Sequence, residues 1–173
     1  MNGSFYIHSD IGGGIMLKPT YVKRRVLDLD AEFLREHHIK GLILDLDNTL
    51  TTHNNKQPGD GITEWIAEMK SAGIKLIILS NNTKKRVTPF AELLGLEFEP
   101  NGAKPLAVGF RRAAKRLGLE KRNLAAVGDQ IFTDILGATV YGIRTVFVTP
   151  IEPETGFLFK VKRVLEYPFR PKQ

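Results

Sequence analysis

The 173-residue chain is 42% hydrophobic and 25% charged, ordinary for a soluble globular protein and enough for one domain with a proper core. It contains no cysteine, which excludes disulfides, thiolate metal sites and cysteine nucleophiles. Its formal net charge of +6 weakly favours anionic partners. No uncharged apolar run has the length of a membrane span and no signal-peptide pattern opens the chain, so the expected location is cytoplasmic.

Met1 to Ile15 has no periodicity, and Gly12-Gly13-Gly14 lacks the preceding strand and following Gly-Lys-Ser/Thr of a phosphate loop. The expectation is a flexible or vector-derived segment over residues 1–15 and a single domain over 16–173. Leu17 to Arg25 is basic and partly apolar. Asp30 reads as a helix N-cap, with Leu29 and Leu34 as a hydrophobic staple, predicting a short helix over Ala31 to His38. Adjacent His37 and His38 cannot face one site on a helix, so both are read as solvated.

Gly41 to Leu44 is an unbroken aliphatic run, as in a strand buried on both faces, and it ends in Asp45 and Asp47. Pro58-Gly59-Asp60 marks a turn, followed by Ile62, Trp65, Ile66 and Met69 at helical spacing. A second aliphatic strand, Ile74 to Leu79, ends in Ser80-Asn81-Asn82. Val87, Phe90, Ala91 and Leu94 resume helical spacing; Pro89 suggests that the regular part starts there, with Thr88 as cap. Leu96 to Glu99 reads as a short strand near the sheet edge. Lys104-Pro105 is expected to open the next helix, with Leu106, Phe110, Ala113, Ala114 and Leu117 as its buried stripe and a solvated basic face opposite. Asn123 to Gly128 is a fourth strand, running into Asp129 and Asp134. After a helix to Tyr141 comes a fifth, Ile143 to Val148. Phe157, Val161, Val164 and Leu165 have helical spacing in the basic tail.

This alternation predicts an α/β domain: a three-layer, Rossmann-like parallel sheet of about five strands with helices on both faces. In such a sheet the strand ends meet at one edge, where ligands bind. Buried carboxylates there cost desolvation and contribute nothing to packing. Asp45 and Asp47, Ser80 and Asn81, Lys104, and Asp129 with Asp134 each have a bland reading as turn or cap residues. Their joint occurrence after aliphatic strands points to a site.

From Gly41 to Val148 the sequence resembles the haloacid dehalogenase superfamily of phosphatases. Asp45-Leu46-Asp47-Asn48-Thr49, Ser80, Lys104, and Gly128-Asp129 with Asp134 match its four motifs in order. The flank from Met16 to Lys40 is similar to the capless YqeG-type branch, related to phosphatidylglycerophosphate phosphatases. The resemblance implies that Asp45 attacks phosphorus and forms an aspartyl-phosphate, and that Asp47 serves as general acid and then base. It implies Mg²⁺ held by the Asp45 and Asp129 side chains and the Asp47 backbone carbonyl, with Asp134 supporting the metal shell. Ser80 and the Asn81 backbone would hold the phosphoryl oxygens, and Lys104 would offset charge on nucleophile and phosphate.

The intervals from Asp45 to Ser80 and from Ser80 to Lys104 have no room for a cap domain. The implied site is open, which suits a macromolecular or membrane-bound phosphate, or a partner subunit as lid. The basic ends, Leu17 to Arg25 and Phe157 to Arg170, either contact an anionic bilayer at the inner face of the membrane or pack on the sheet; packing is favoured. No strong nucleic-acid signal is present, and the sequence does not set the oligomeric state. Two other classes compete: a receiver domain, which fits poorly because Pro100-Asn101-Gly102-Ala103 lacks the acceptor aspartate, and a non-catalytic scaffold or phosphate-binding regulatory module of the same fold.

Overall fold

A computed structural model describes residues 17–53, 55 and 57–152. The expected N-terminal segment 1–15 and the amphipathic tail around Phe157 to Arg170 lie outside the described residues. The chain runs β1 (Tyr21–Lys23), α1 (Ala31–Glu36), β2 (Gly41–Leu44), α2 (Ile62–Ser71), β3 (Lys75–Leu79), α3 (Lys84–Leu94), β4 (Glu97–Glu99), α4 (Ala107–Leu117), β5 (Leu124–Gly128), α5 (Leu136–Tyr141) and β6 (Arg144–Val148). The strands form one parallel sheet in the order β1-β6-β5-β2-β3-β4.

The aliphatic strands are buried on both faces because successive side chains point to opposite sides. Leu42, Leu44, Leu76 and Ile78 pack with α1, α2 and α3, whereas Ile43, Ile77 and Leu79 pack with α4 and α5. That alternation produces three layers and places β2 at the centre. The four residues of β2 are all buried, and Leu44 lies opposite Ile78 of β3 and Val127 of β5.

The sheet has six strands where the sequence suggested about five. The extra one is β1, from the basic N-terminal flank, paired with β6 at the edge opposite β4. Three residues with alternating exposure carry too little pattern to be seen in sequence. This flank packs as anticipated: Tyr21 meets Phe33 edge-on at 5.1 Å, and Lys23 Nζ sits 4.1 Å over the Phe33 ring. His37 is not simply solvated, since its ring lies 4.6 Å from that of Tyr21.

Asp30 caps α1, its carboxylate accepting from Phe33 N at 2.7 Å, and the staple residues Leu29 and Leu34 are buried. The start of α3 is a correction. The helix begins at Lys84 and carries Pro89 in its interior. Proline there deprives the Lys85 carbonyl of its helical donor, but Lys85 is exposed and water can satisfy that oxygen. A second correction concerns α4, which starts at Ala107, after a cis Lys104–Pro105 bond. Leu106 is accordingly 64% exposed rather than part of the buried stripe, while Phe110, Ala113, Ala114 and Leu117 are buried as expected. The basic face of α4 is partly paired: Arg112 and Arg116 form ion pairs with Glu97 and Glu99 of the edge strand.

Candidate active site

Three strand ends converge at the carboxyl edge of the sheet. Just past β2, Asp45 N donates to Val127 O at 2.9 Å, which ties the chain to β5 where Asp45 leaves the sheet. The chain then turns tightly: Leu46 O accepts from Leu50 N and Thr51 N, and Asn48 adopts a left-handed φ of 62°. This turn fixes Asp47 at the mouth. Past β5, Asp129 is fully buried, and the wide turn Ile131–Ile135 carries Asp134 back toward the strand. Only glycine fits at 128, because a Cβ there would lie 2.4 Å from Asp134 Cγ.

Lys104 reaches this edge from the loop before α4. Its Nζ donates to Asp45 Oδ1 and, at 2.6 Å, to Asp134 Oδ1. Asp134 Oδ2 accepts from Gln130 N at 3.2 Å. Asp45, Lys104 and Asp134 are all buried. Burial pushes the Asp45 carboxyl well above the usual carboxylate range; Lys104 opposes that shift, and Asp134 and Asp129 add to it. Burial alone would pull the Lys104 ammonium down, but the Asp134 and Asp45 carboxylates outweigh it, so its pKa lies above that of an ordinary lysine.

One ammonium thus stands against three buried carboxylates. Asp45, Asp129 and Asp134 each offer an oxygen, and these oxygens lie within 4.8 Å of one another. Converging hard oxygen donors with excess negative charge fit a divalent cation. The Asp47 carboxylate is not in that group. Its Oδ2 accepts from Asn82 Nδ2 at 2.6 Å and its Oδ1 from Arg86 Nη2 at 2.8 Å. Both Asp47 carboxylate oxygens are thus engaged by other side chains.

Ser80 is buried at the end of β3, its N donating to Glu99 O at 3.1 Å and its Oγ accepting from Asn82 N at 3.1 Å. The Asn81 side chain is engaged with Lys104: Nδ2 donates to Lys104 O at 2.9 Å and Oδ1 accepts from Lys104 N at 2.7 Å. Asn81 thereby positions the lysine with its side chain, a role that sequence reasoning missed. Asn82 and Arg86 were missed as well. Arg86 had one visible signal: Lys84-Lys85-Arg86 places three cations and no acid in the first turn of α3, against the helix dipole.

A family model described as haloacid dehalogenase-like hydrolase matches residues 54–142, and another, described as mitochondrial PGP phosphatase, matches residues 15–90. The chain belongs to the haloacid dehalogenase-like hydrolases and is a phosphatase of that family. It is 36% identical over 148 residues to a probable phosphatase, YqeG, of Bacillus subtilis, covering 86% of each chain. Among solved structures, an uncharacterized protein from Listeria monocytogenes superposes with a TM-score of 0.56 at 20% identity, covering 68% of this chain and 85% of that one. The cobalt-bound deoxy-D-mannose-octulosonate 8-phosphate phosphatase of Haemophilus influenzae does so with a TM-score of 0.54 at 20% identity, covering 65% and 69%. At that identity these two structures establish the shared fold.

Proposed function

We propose that the protein is a Mg²⁺-dependent phosphatase that hydrolyses a phosphate monoester through an aspartyl-phosphate on Asp45. The observation that carries this reading is the division of labour among buried carboxylates. Asp45 touches a lysine and belongs to a carboxylate cluster with the donors to hold a cation, whereas Asp47, two positions on, is held apart by Asn82 and Arg86. One carboxylate is set up as nucleophile and the other for proton transfer.

Charge explains the rest of the constellation. A carboxylate ~4 Å from a phosphate oxygen is opposed by about 4 kcal/mol at an effective dielectric near ~20. Mg²⁺ held by the Asp45 and Asp129 side chains, with Asp134 in support, would supply two positive charges against that repulsion and polarise the phosphoryl oxygens. Lys104 adds a third positive charge beside the nucleophile. Ser80 Oγ and the Asn81 backbone would hold the remaining phosphoryl oxygens. Asp47 gives its proton to the leaving oxygen and then takes one from the attacking water.

Among the described residues, the intervals after Asp45 and after Ser80 hold loops, α2, β3, α3 and β4 and no cap domain. An open site suits a large or membrane-bound phosphate ester. Phosphatidylglycerophosphate is the proposed substrate, supported by the family description matched over residues 15–90. The proposed setting is the cytoplasm, with peripheral contact to anionic lipid. Among the described residues, no helix is long and apolar enough to cross a membrane. The test is a phosphatase screen with Mg²⁺ over lipid, nucleotide, sugar and peptide phosphates. The expected result is release of phosphate from phosphatidylglycerophosphate, abolished in Asp45→Asn. Activity kept by that variant contradicts the nucleophile assignment, and inactivity on every ester favours the scaffold.

A further inference from the structure

Arg86 does more than pair with Asp47. Its Nη1 donates to Asn55 O at 2.8 Å, and Nη2 donates to His53 O at 3.0 Å as well as to Asp47 Oδ1. The guanidinium carbon lies 4.7 Å over the Phe90 ring of the same helix. One planar group therefore ties α3, the loop that follows Asp47, and the Asp47 carboxylate into a single unit. Arginine suits that task because its fork is rigid, and lysine could reach only part of it. The arrangement runs against local preference, since a cation in the first turn of a helix opposes the dipole. Sequences break such rules mostly where function requires it.

We propose that Arg86 is the positioning residue that aims Asp47 at the attacking water in the second half of the reaction. The inference rests on the aspartyl-phosphate reading above. In that step the water oxygen bonds to phosphorus and the phosphorus–oxygen bond to Asp45 breaks. The electron pair returns to the Asp45 carboxylate, the water proton passes to Asp47, and phosphate leaves. Asn82 on Oδ2 and Arg86 on Oδ1 fix the plane of the Asp47 carboxylate, so its remaining lone pairs point the same way each turnover.

The test uses dinitrophenyl phosphate with Mg²⁺. Its leaving group departs without a proton, so formation of the phosphoenzyme does not need Asp47. Arg86→Ala should lower kcat about 10- to 100-fold, a part of what a placed acid–base group contributes, and change kcat/KM by less than about threefold. Quenched samples should hold more phosphoenzyme than wild type. Arg86→Lys should fall between the two, and it carries the test if Arg86→Ala does not fold, as a retained kcat/KM reports folding. Asp47→Asn should show the same split in stronger form. If kcat and kcat/KM fall together without accumulated phosphoenzyme, or if neither changes, Arg86 does not position Asp47. If Asp47→Asn itself lacks the split, the base assignment fails first and the inference falls with it.

Discussion

A single buried lysine determines how the site tolerates its own charge. Lys104 donates to Asp45 and Asp134, and removing it leaves these buried carboxylates without the cation that pairs with both among the described residues. Lys104→Ala should destabilise the metal-free protein by about 3–5 kcal/mol at neutral pH, measured by denaturant unfolding with chelator present. The pH dependence follows from the upward shift of Lys104. Its contribution is fully present below the ordinary lysine value of 10.5 and is lost as pH rises through the higher folded value. The gap between wild type and variant should therefore stay level from neutral pH toward 10.5 and narrow above it. A gap that widens with alkali, or that is absent at neutral pH, contradicts the assigned charge state. That Asp45, Lys104 and Asp129 meet at one edge was legible in sequence because each follows a recognisable strand or motif. The side-chain contacts of Asn81, Asn82 and Arg86 were not, because their partners are long-range. Asn81 meets Lys104 and Arg86 meets Asp47 only after β2, β3 and the loop before α4 have been brought to one edge.

At the level of elements, α4 and the loop carrying Lys104 are locked by close backbone approach. A Cβ on Gly109 would lie 2.1 Å from Gly102 O, and a carbonyl in a packed loop cannot swing aside as a flexible side chain can. Gly109→Ala should cost about 1–3 kcal/mol in chemical unfolding and also lower kcat, because the Gly102 to Lys104 loop must shift. Wild-type values of both would show that the loop is free to move without consequence. The helices and central strands were readable because their apolar spacing is long and regular, as in α2 with Ile62, Trp65, Ile66 and Met69 all buried. The errors fell where pattern is short or local preference misleads. The strand β1 has three residues, Pro89 sits inside α3, and Leu106 precedes α4 instead of joining its stripe.

The described residues form a parallel sheet whose middle strands deliver polar residues to one edge. The fold class followed from two-faced burial of β2, β3 and β5, and the edge followed from parallel connectivity. Peptide mapping by mass spectrometry, after Asp47→Asn is incubated with dinitrophenyl phosphate and Mg²⁺ and then quenched in acid, tests the chemistry most directly. A phosphoryl group should appear on the peptide bearing Asp45, disappear when chelator replaces Mg²⁺, and be absent when Asp45 is also changed to Asn. A phosphoryl group on any other residue, or none while dinitrophenolate is still released, would contradict the account.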